Sequence, residues 1–135
     1  GSGAIVVMDE TTDAVKAALR VVRFFARESC GKCTPCREGT TWEERILARI
    51  LDGEGRPSDL DMLLDVADNI SPGPYPVAAH EAEGLDAVPF PPKQTTICPL
   101  GPSSVAPITS TIRRFRHEYE AKITRRDSIP VSAEA

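Results

Sequence analysis

Several things are scarce in this 135-residue chain, and each scarcity closes off a class of protein. No run approaches the roughly 20 consecutive apolar residues that a membrane-spanning helix needs, so a soluble chain is expected. Net positive charge is missing too. The formal balance is −4, whereas a general nucleic-acid binder needs a clustered Lys/Arg surface to neutralise phosphates. The bases that do gather, Arg113, Arg114, Arg116, Lys122, Arg125 and Arg126, read as a solvated helix face. No G-x-G-x-x-G phosphate loop occurs, so no nucleotide site is expected within these residues. Only two histidines, His80 and His117, are present. Neither has a sequence-readable partner, and no Ser/His/Asp or Cys/His catalytic set is suggested. The N-terminus shows no signal-peptide pattern, which sets a secreted disulfide framework aside and favours a reducing compartment.

What is present is ordinary soluble composition, 41% apolar and 27% charged, in a chain of one domain's length with a single expected core. Residues 1–10 read as a short Gly-bounded apolar strand with nothing local to pair with, as if left over from a preceding domain or linker. Residues 11–123 read as a helical domain. Thr11 or Thr12 caps a first helix to about Arg27 with Val15, Leu19, Val22, Phe25 and Ala26 on one face. Thr34 and Pro35 form a start signal for a second helix that turns Trp42, Ile46, Ile50 and Leu51 inward and stops at Gly53. A third covers about 59–69 with Leu60, Leu63, Leu64 and Ala67 on its stripe. Residues 71–95 form a proline-rich loop insertion, holding Pro72, Pro74, Pro76, Pro89, Pro91 and Pro92, of a length that is functional or disordered in compact domains. Ser103 or Ser104 caps a fourth helix to about Ile123, with Ile108, Ile112, Phe115, Tyr119 and Ile123 inward and Pro107 near its first turn. Residues 124–135 read as a disordered tail. The expected fold is all-α, a small four-helix bundle with cluster-binding loops.

The four cysteines carry the chemistry. Cys30, Cys33 and Cys36 form a C-x-x-C-x-x-C run, and Cys98 stands alone before Pro99. Three close thiolates plus a remote one suit a 4Fe-4S cluster, each sulfur taking one corner of the cube. Gly31 permits a positive φ or a close backbone approach, and Pro35 fixes its own φ at a helix start. A four-thiolate cluster is anionic and becomes more so on reduction, so Lys32, Arg37 and the helix N-termini near Cys36 and Cys98 supply the positive surroundings it needs. A zinc knot remains an alternative, because four thiolates also satisfy tetrahedral Zn²⁺, although zinc sites usually pair two C-x-x-C knuckles.

Around the triplet, Glu28-Ser29-Cys30-Gly31-Lys32-Cys33-Thr34-Pro35-Cys36-Arg37-Glu38-Gly39-Thr40 with Trp42 resembles the NADH-binding flavoprotein (the F subunit) of respiratory complex I. Thr96-Ile97-Cys98-Pro99-Leu100-Gly101, and Pro107 through Phe115 to Glu120, are similar to that family's second signature. Diaphorase subunits of NAD-dependent hydrogenases and formate dehydrogenases share both. The resemblance implies that Cys30, Cys33, Cys36 and Cys98 ligate a 4Fe-4S cluster taking electrons from FMN after NADH oxidation. It implies partners in a 2Fe-2S subunit and a large iron-sulfur subunit, a cytoplasmic place at the inner face of the membrane, and no NADH oxidation by this fragment alone, since FMN and NAD belong to the family's larger N-terminal part. The segment before Cys98 is longer than is usual in the family.

Overall fold

The computed structural model describes residues 5–72 and 95–127. Among the described residues the chain forms four helices and no strand: α1 (Ala14–Glu28), α2 (Thr34–Leu51), α3 (Asp59–Ile70) and α4 (Leu100–Asp127). The all-α bundle expected from the apolar periodicity is the fold observed. α1 lies against α2 and α4, α3 packs on the other side of the same pair, and α2 also touches α4.

The inward stripes follow from side chains recurring three and four residues apart, which places them on one helical face. Val15, Leu19 and Val22 of α1, Ile46, Leu47 and Ile50 of α2, Leu60 and Leu63 of α3, and Ile108, Ile112, Tyr119 and Ile123 of α4 form one continuous buried core. A smaller apolar cluster of Ala67, Ile70 and Val105 sits apart from this core. Burying each such side chain contributes on the order of 1.5–3 kcal/mol.

The loop from α2 to α3 is stapled by a buried carboxylate. Asp59 accepts from Arg49 Nε at 3.0 Å and from the Arg56 N–H at 2.9 Å, which satisfies a side chain with no exposure at all. At the N-terminus of α1 the second half of α4 reinforces the cap. Glu118 Oε2 accepts from the Ala14 N–H at 2.9 Å, and Lys122 pairs with Asp13. Burial alone would raise Asp13, but its hydrogen bonds from Lys122 and the Lys16 N–H outweigh that and hold the carboxyl below its usual value. Tyr119 Oη and Thr111 Oγ1 lie 2.7 Å apart across the break in helical dihedrals at Phe115, bracing the two halves of α4. Burial pushes the Tyr119 phenol up to about 12.

Several expectations shift. Asp13, rather than Thr11 or Thr12, caps α1 by accepting from the Lys16 N–H at 3.0 Å, and both threonines bind Asp9 instead. Cys33, not Thr34, is the N-cap of α2. α4 begins at Leu100, so Ser103 and Ser104 lie inside its first turns, where their hydroxyls donate to the carbonyls of Pro99 and Gly101 at 2.7 Å. Pro107 therefore sits inside the helix. Trp42 is 53% exposed. The buried face of α2 runs Cys36, Thr40, Glu43, Leu47 and Ile50, and the one-residue step from 43 to 42 swings Trp42 off it. Phe115 is only half-buried. Ile5, Val6, Val7 and Met8 form no strand, for they are exposed and have no ladder partner. α4 runs on to Asp127, past the expected boundary at Thr124. Residues 1–4, most of the proline-rich stretch with His80, and 128–135 lie outside the described residues.

Candidate metal centre

The early cysteines sit where one helix stops and the next starts. Ser29 is the C-cap of α1, its N–H donating to Phe25 O at 3.0 Å. The chain reverses through Gly31, whose φ of +77° lies in the left-handed region that favours glycine. It then enters α2 with Cys33 as N-cap and Cys36 in the first turn. Arg37 closes the loop from behind, donating from Nη1 to Gly31 O at 2.8 Å. Thr40 Oγ1 donates to Cys36 O at 2.8 Å within the buried face.

The late cysteine hangs from a different part of the fold. Thr95 Oγ1 donates to Asn69 O at 2.7 Å and the Thr95 N–H to Ile70 O at 3.2 Å, fastening the segment to the end of α3. Thr96 Oγ1 donates to Cys98 O at 2.9 Å, and α4 starts two residues further on. A glycine follows each helix-starting cysteine by three residues, Gly39 after Cys36 and Gly101 after Cys98, and Ile70 packs into both. A β-carbon at Gly39 would lie 2.7 Å from Ile70 Cδ1. One at Gly101 would lie 2.6 Å from Thr96 Oγ1 and 3.1 Å from Ile70 Cγ2. One apolar side chain of α3 thus sets the approach of the two helix starts.

The result is a single hollow lined by Cys30, Cys33, Cys36 and Cys98 together with Glu28, Ser29, Lys32, Thr96 and Leu100. Cys36 is buried, Cys33 half-buried, and Cys30 and Cys98 exposed, so the inner pair forms the floor and the outer pair the rim. Two hydrogen bonds reach the floor sulfurs: Ser29 Oγ lies 3.3 Å from Cys36 Sγ, and the Ile97 N–H donates to Cys33 Sγ at 3.3 Å. Burial pushes the Cys36 thiol up, with the other three cysteines adding to the rise and the Ser29 contact opposing it. A thiolate there needs a cationic group beside it. Four thiolates on one zinc ion would each sit about 2.3 Å from a common point. Among the described residues no group of three His, Cys, Asp or Glu side chains is already arranged to hold a single metal ion.

The expected donor set is therefore brought together, with Lys32 on the same wall and Gly31 and Arg37 bracing the loop. His117 is exposed on α4 and stands apart from the hollow-lining residues. Ser29, Thr96 and Leu100 went unremarked as site residues in the sequence. Their only local signal is nearness to a cysteine, one residue for Ser29 and two for Thr96 and Leu100. Glu43 was also missed: it is fully buried on α2, neither carboxylate oxygen has a hydrogen-bond partner among the described residues, and burial pushes it up to about 8.

Four thiols rimming one hollow between two helix starts define a helical iron-sulfur domain. Residues 16–75 and 78–122 match the family model described as the NADH-ubiquinone oxidoreductase-F iron-sulfur binding region, and the chain belongs to that family, whose group is a 4Fe-4S cluster. It is 39% identical over 123 residues to the F subunit of NADH-quinone oxidoreductase from Rickettsia bellii, covering 91% of this chain and 24% of that protein. It is 42% identical over 126 residues to the corresponding F subunit from Streptomyces coelicolor, covering 93% and 23%. The chain thus spans about a quarter of the length of the curated relatives it matches. Among solved structures, an NAD+-reducing NiFe-hydrogenase in the H2-reduced state superposes with a TM-score of 0.66 at 28% identity, over 87% of this chain and 16% of that one.

Proposed function

We propose that Cys30, Cys33, Cys36 and Cys98 ligate the 4Fe-4S cluster and that the domain relays single electrons from FMN, reduced by NADH and held by residues outside this chain, to the next iron-sulfur subunit. The observation that carries this reading is the convergence of all four thiols on one hollow. When bound, such a cluster supplies a one-electron store with a potential set by its surroundings. The chain's own contribution is placement. Cys36 and Cys33 anchor the inner side against helix ends whose free N–H groups favour negative charge. Cys30 and Cys98 leave the outer side open to a neighbour, and Lys32 adds a positive charge there.

The partners in this reading are a 2Fe-2S subunit and a large iron-sulfur subunit of the peripheral arm of NADH-quinone oxidoreductase, on the cytoplasmic side of the membrane. Among the described residues no helix is long and apolar enough to cross a membrane, in keeping with a peripheral place. A second reading puts the same domain in a hydrogenase diaphorase, supported by the hydrogenase neighbour.

Anaerobic reconstitution of the chain tests the ligand assignment. The expected product holds about four iron and four sulfide per chain, with a broad visible absorption that bleaches on reduction. Stoichiometric zinc without sulfide after the same treatment overturns it in favour of a zinc-stapled interaction module.

A further inference from the structure

We infer that Ser29 is a potential-setting residue: its hydroxyl donates a hydrogen bond to the Cys36 sulfur and raises the reduction potential of the bound cluster. This rests on the ligand assignment proposed above. The two atoms lie 3.3 Å apart in a half-buried setting. As a thiol, Cys36 is itself a potential donor, but as an iron ligand it has lost its proton. Only the serine O–H is then left to donate. The hydroxyl is also pre-aimed. The Gly31 N–H approaches Ser29 Oγ at 3.4 Å and occupies a lone pair, and the backbone of Ser29 is held as the cap of α1 by its 3.0 Å bond to Phe25 O.

The direction of the effect follows from charge. Reduction adds an electron to an already anionic cluster and its thiolates, so a donor aimed at a ligand sulfur stabilises the reduced state more than the oxidised one. Because Cys36 is the buried member of the quartet, water does not readily replace that donor. The Ile97 N–H acts on Cys33 in the same sense, yet it belongs to the backbone and is beyond side-chain control. Among the described residues Ser29 is the side chain whose hydrogen bond to a cysteine sulfur lets sequence adjust the potential.

The test compares the unmodified chain with Ser29→Ala and Ser29→Thr after anaerobic reconstitution, reading iron and sulfide content first and then the midpoint potential by redox titration. Full cluster content in all three, a more negative potential in Ser29→Ala at every pH near neutrality, and a potential in Ser29→Thr close to the unmodified one bear the inference out. A hydroxyl does not titrate in that range, so the shift is independent of pH. An unchanged potential in a fully loaded Ser29→Ala overturns it. So does a Ser29→Ala chain that cannot assemble the cluster, or a threonine variant as shifted as the alanine one, since either shows a structural role instead. Failure of the unmodified chain to take up iron and sulfide is a separate outcome that strikes the ligand assignment itself.

Discussion

The two segments that deliver cysteines to the hollow are built on opposite principles. The early one is local: three sulfurs within seven residues, a glycine at positive φ, a helix start, and an arginine reaching back to close the loop. The late one is suspended: its single sulfur is positioned by bonds to the end of α3 and by Gly101 pressed against Thr96 and Ile70. A local loop can hold its shape with little help. A suspended one is only as good as the packing beneath it, so perturbations of the bundle should reach Cys98 first.

The sharpest way to break the comparison is to remove the suspended cysteine, a ligand in the proposed reading. Cys98→Ala should cut iron retention several-fold in an anaerobic chelator challenge and lower the denaturant midpoint of the loaded chain to that of the apo form, because binding energy across distant ligands is folding energy. Equal loss from the Cys30→Ala variant would show that the early segment is no more self-sufficient than the late one.

Acidity separates the two arms next, because α2 carries the buried Glu43, which has no hydrogen-bond partner among the described residues. Its carboxyl stays protonated in the folded chain up to about 8, against a reference of 4.5. Between those values the unfolded state has lost the proton and the folded state has kept it, so stability is highest below about pH 4.5 on this account and falls as pH rises toward 8. At pH 7 the cost is about 3 kcal/mol. Glu43→Leu should recover about that much, and Glu43→Gln should flatten the slope, both read from denaturant melts of the apo chain across pH.

Glycine substitutions give the finest comparison. Gly101→Ala drives a β-carbon to 2.6 Å from Thr96 Oγ1, and threonine is stiff at χ1 and already bonded to Cys98 O. A loss of about 1–3 kcal/mol, with slower cluster assembly, is expected. Gly39→Ala meets the flexible end of Ile70 at 2.7 Å instead. Its cost should be smaller, about 1–2 kcal/mol, since the Cδ1 end can rotate away although Cγ1, 2.9 Å from the new β-carbon on a stiff β-branched stem, must also shift. Equal effects at the two glycines would mean that Ile70 is as immobile as Thr96.

Much of this was legible from the chain alone, and the reasons are local. C-x-x-C-x-x-C spacing limits where three sulfurs can go, and Pro35 marks the helix that carries the third. The apolar stripes of α1 and α3 fell where three- and four-residue periodicity placed Val15, Leu19, Val22, Leu60, Leu63 and Ala67, while Phe25, Ala26 and Leu64 are only half-buried. On α2 the register slipped, because Trp42 is the more apolar neighbour yet Glu43 holds the inward position. Composition could not show that, since the rotation of a helix about its axis is settled by everything packed on it. The Asp13 cap was misassigned to threonines because Glu118 and Lys122, far away in the chain, complete that end. Ser29 and Thr96 stood beside cysteines in plain view, but nothing in a one-dimensional string says which hydroxyl turns toward a sulfur.

By itself the sequence supplied the candidate donors and their number: four thiols, three of them in a spacing short enough for covalent geometry to gather. Only the tertiary structure decided that the fourth joins them, which one is buried, and which neighbours donate to them. Those facts depend on α3 wedging Ile70 between two glycines, and long-range packing is a property of the whole folded chain.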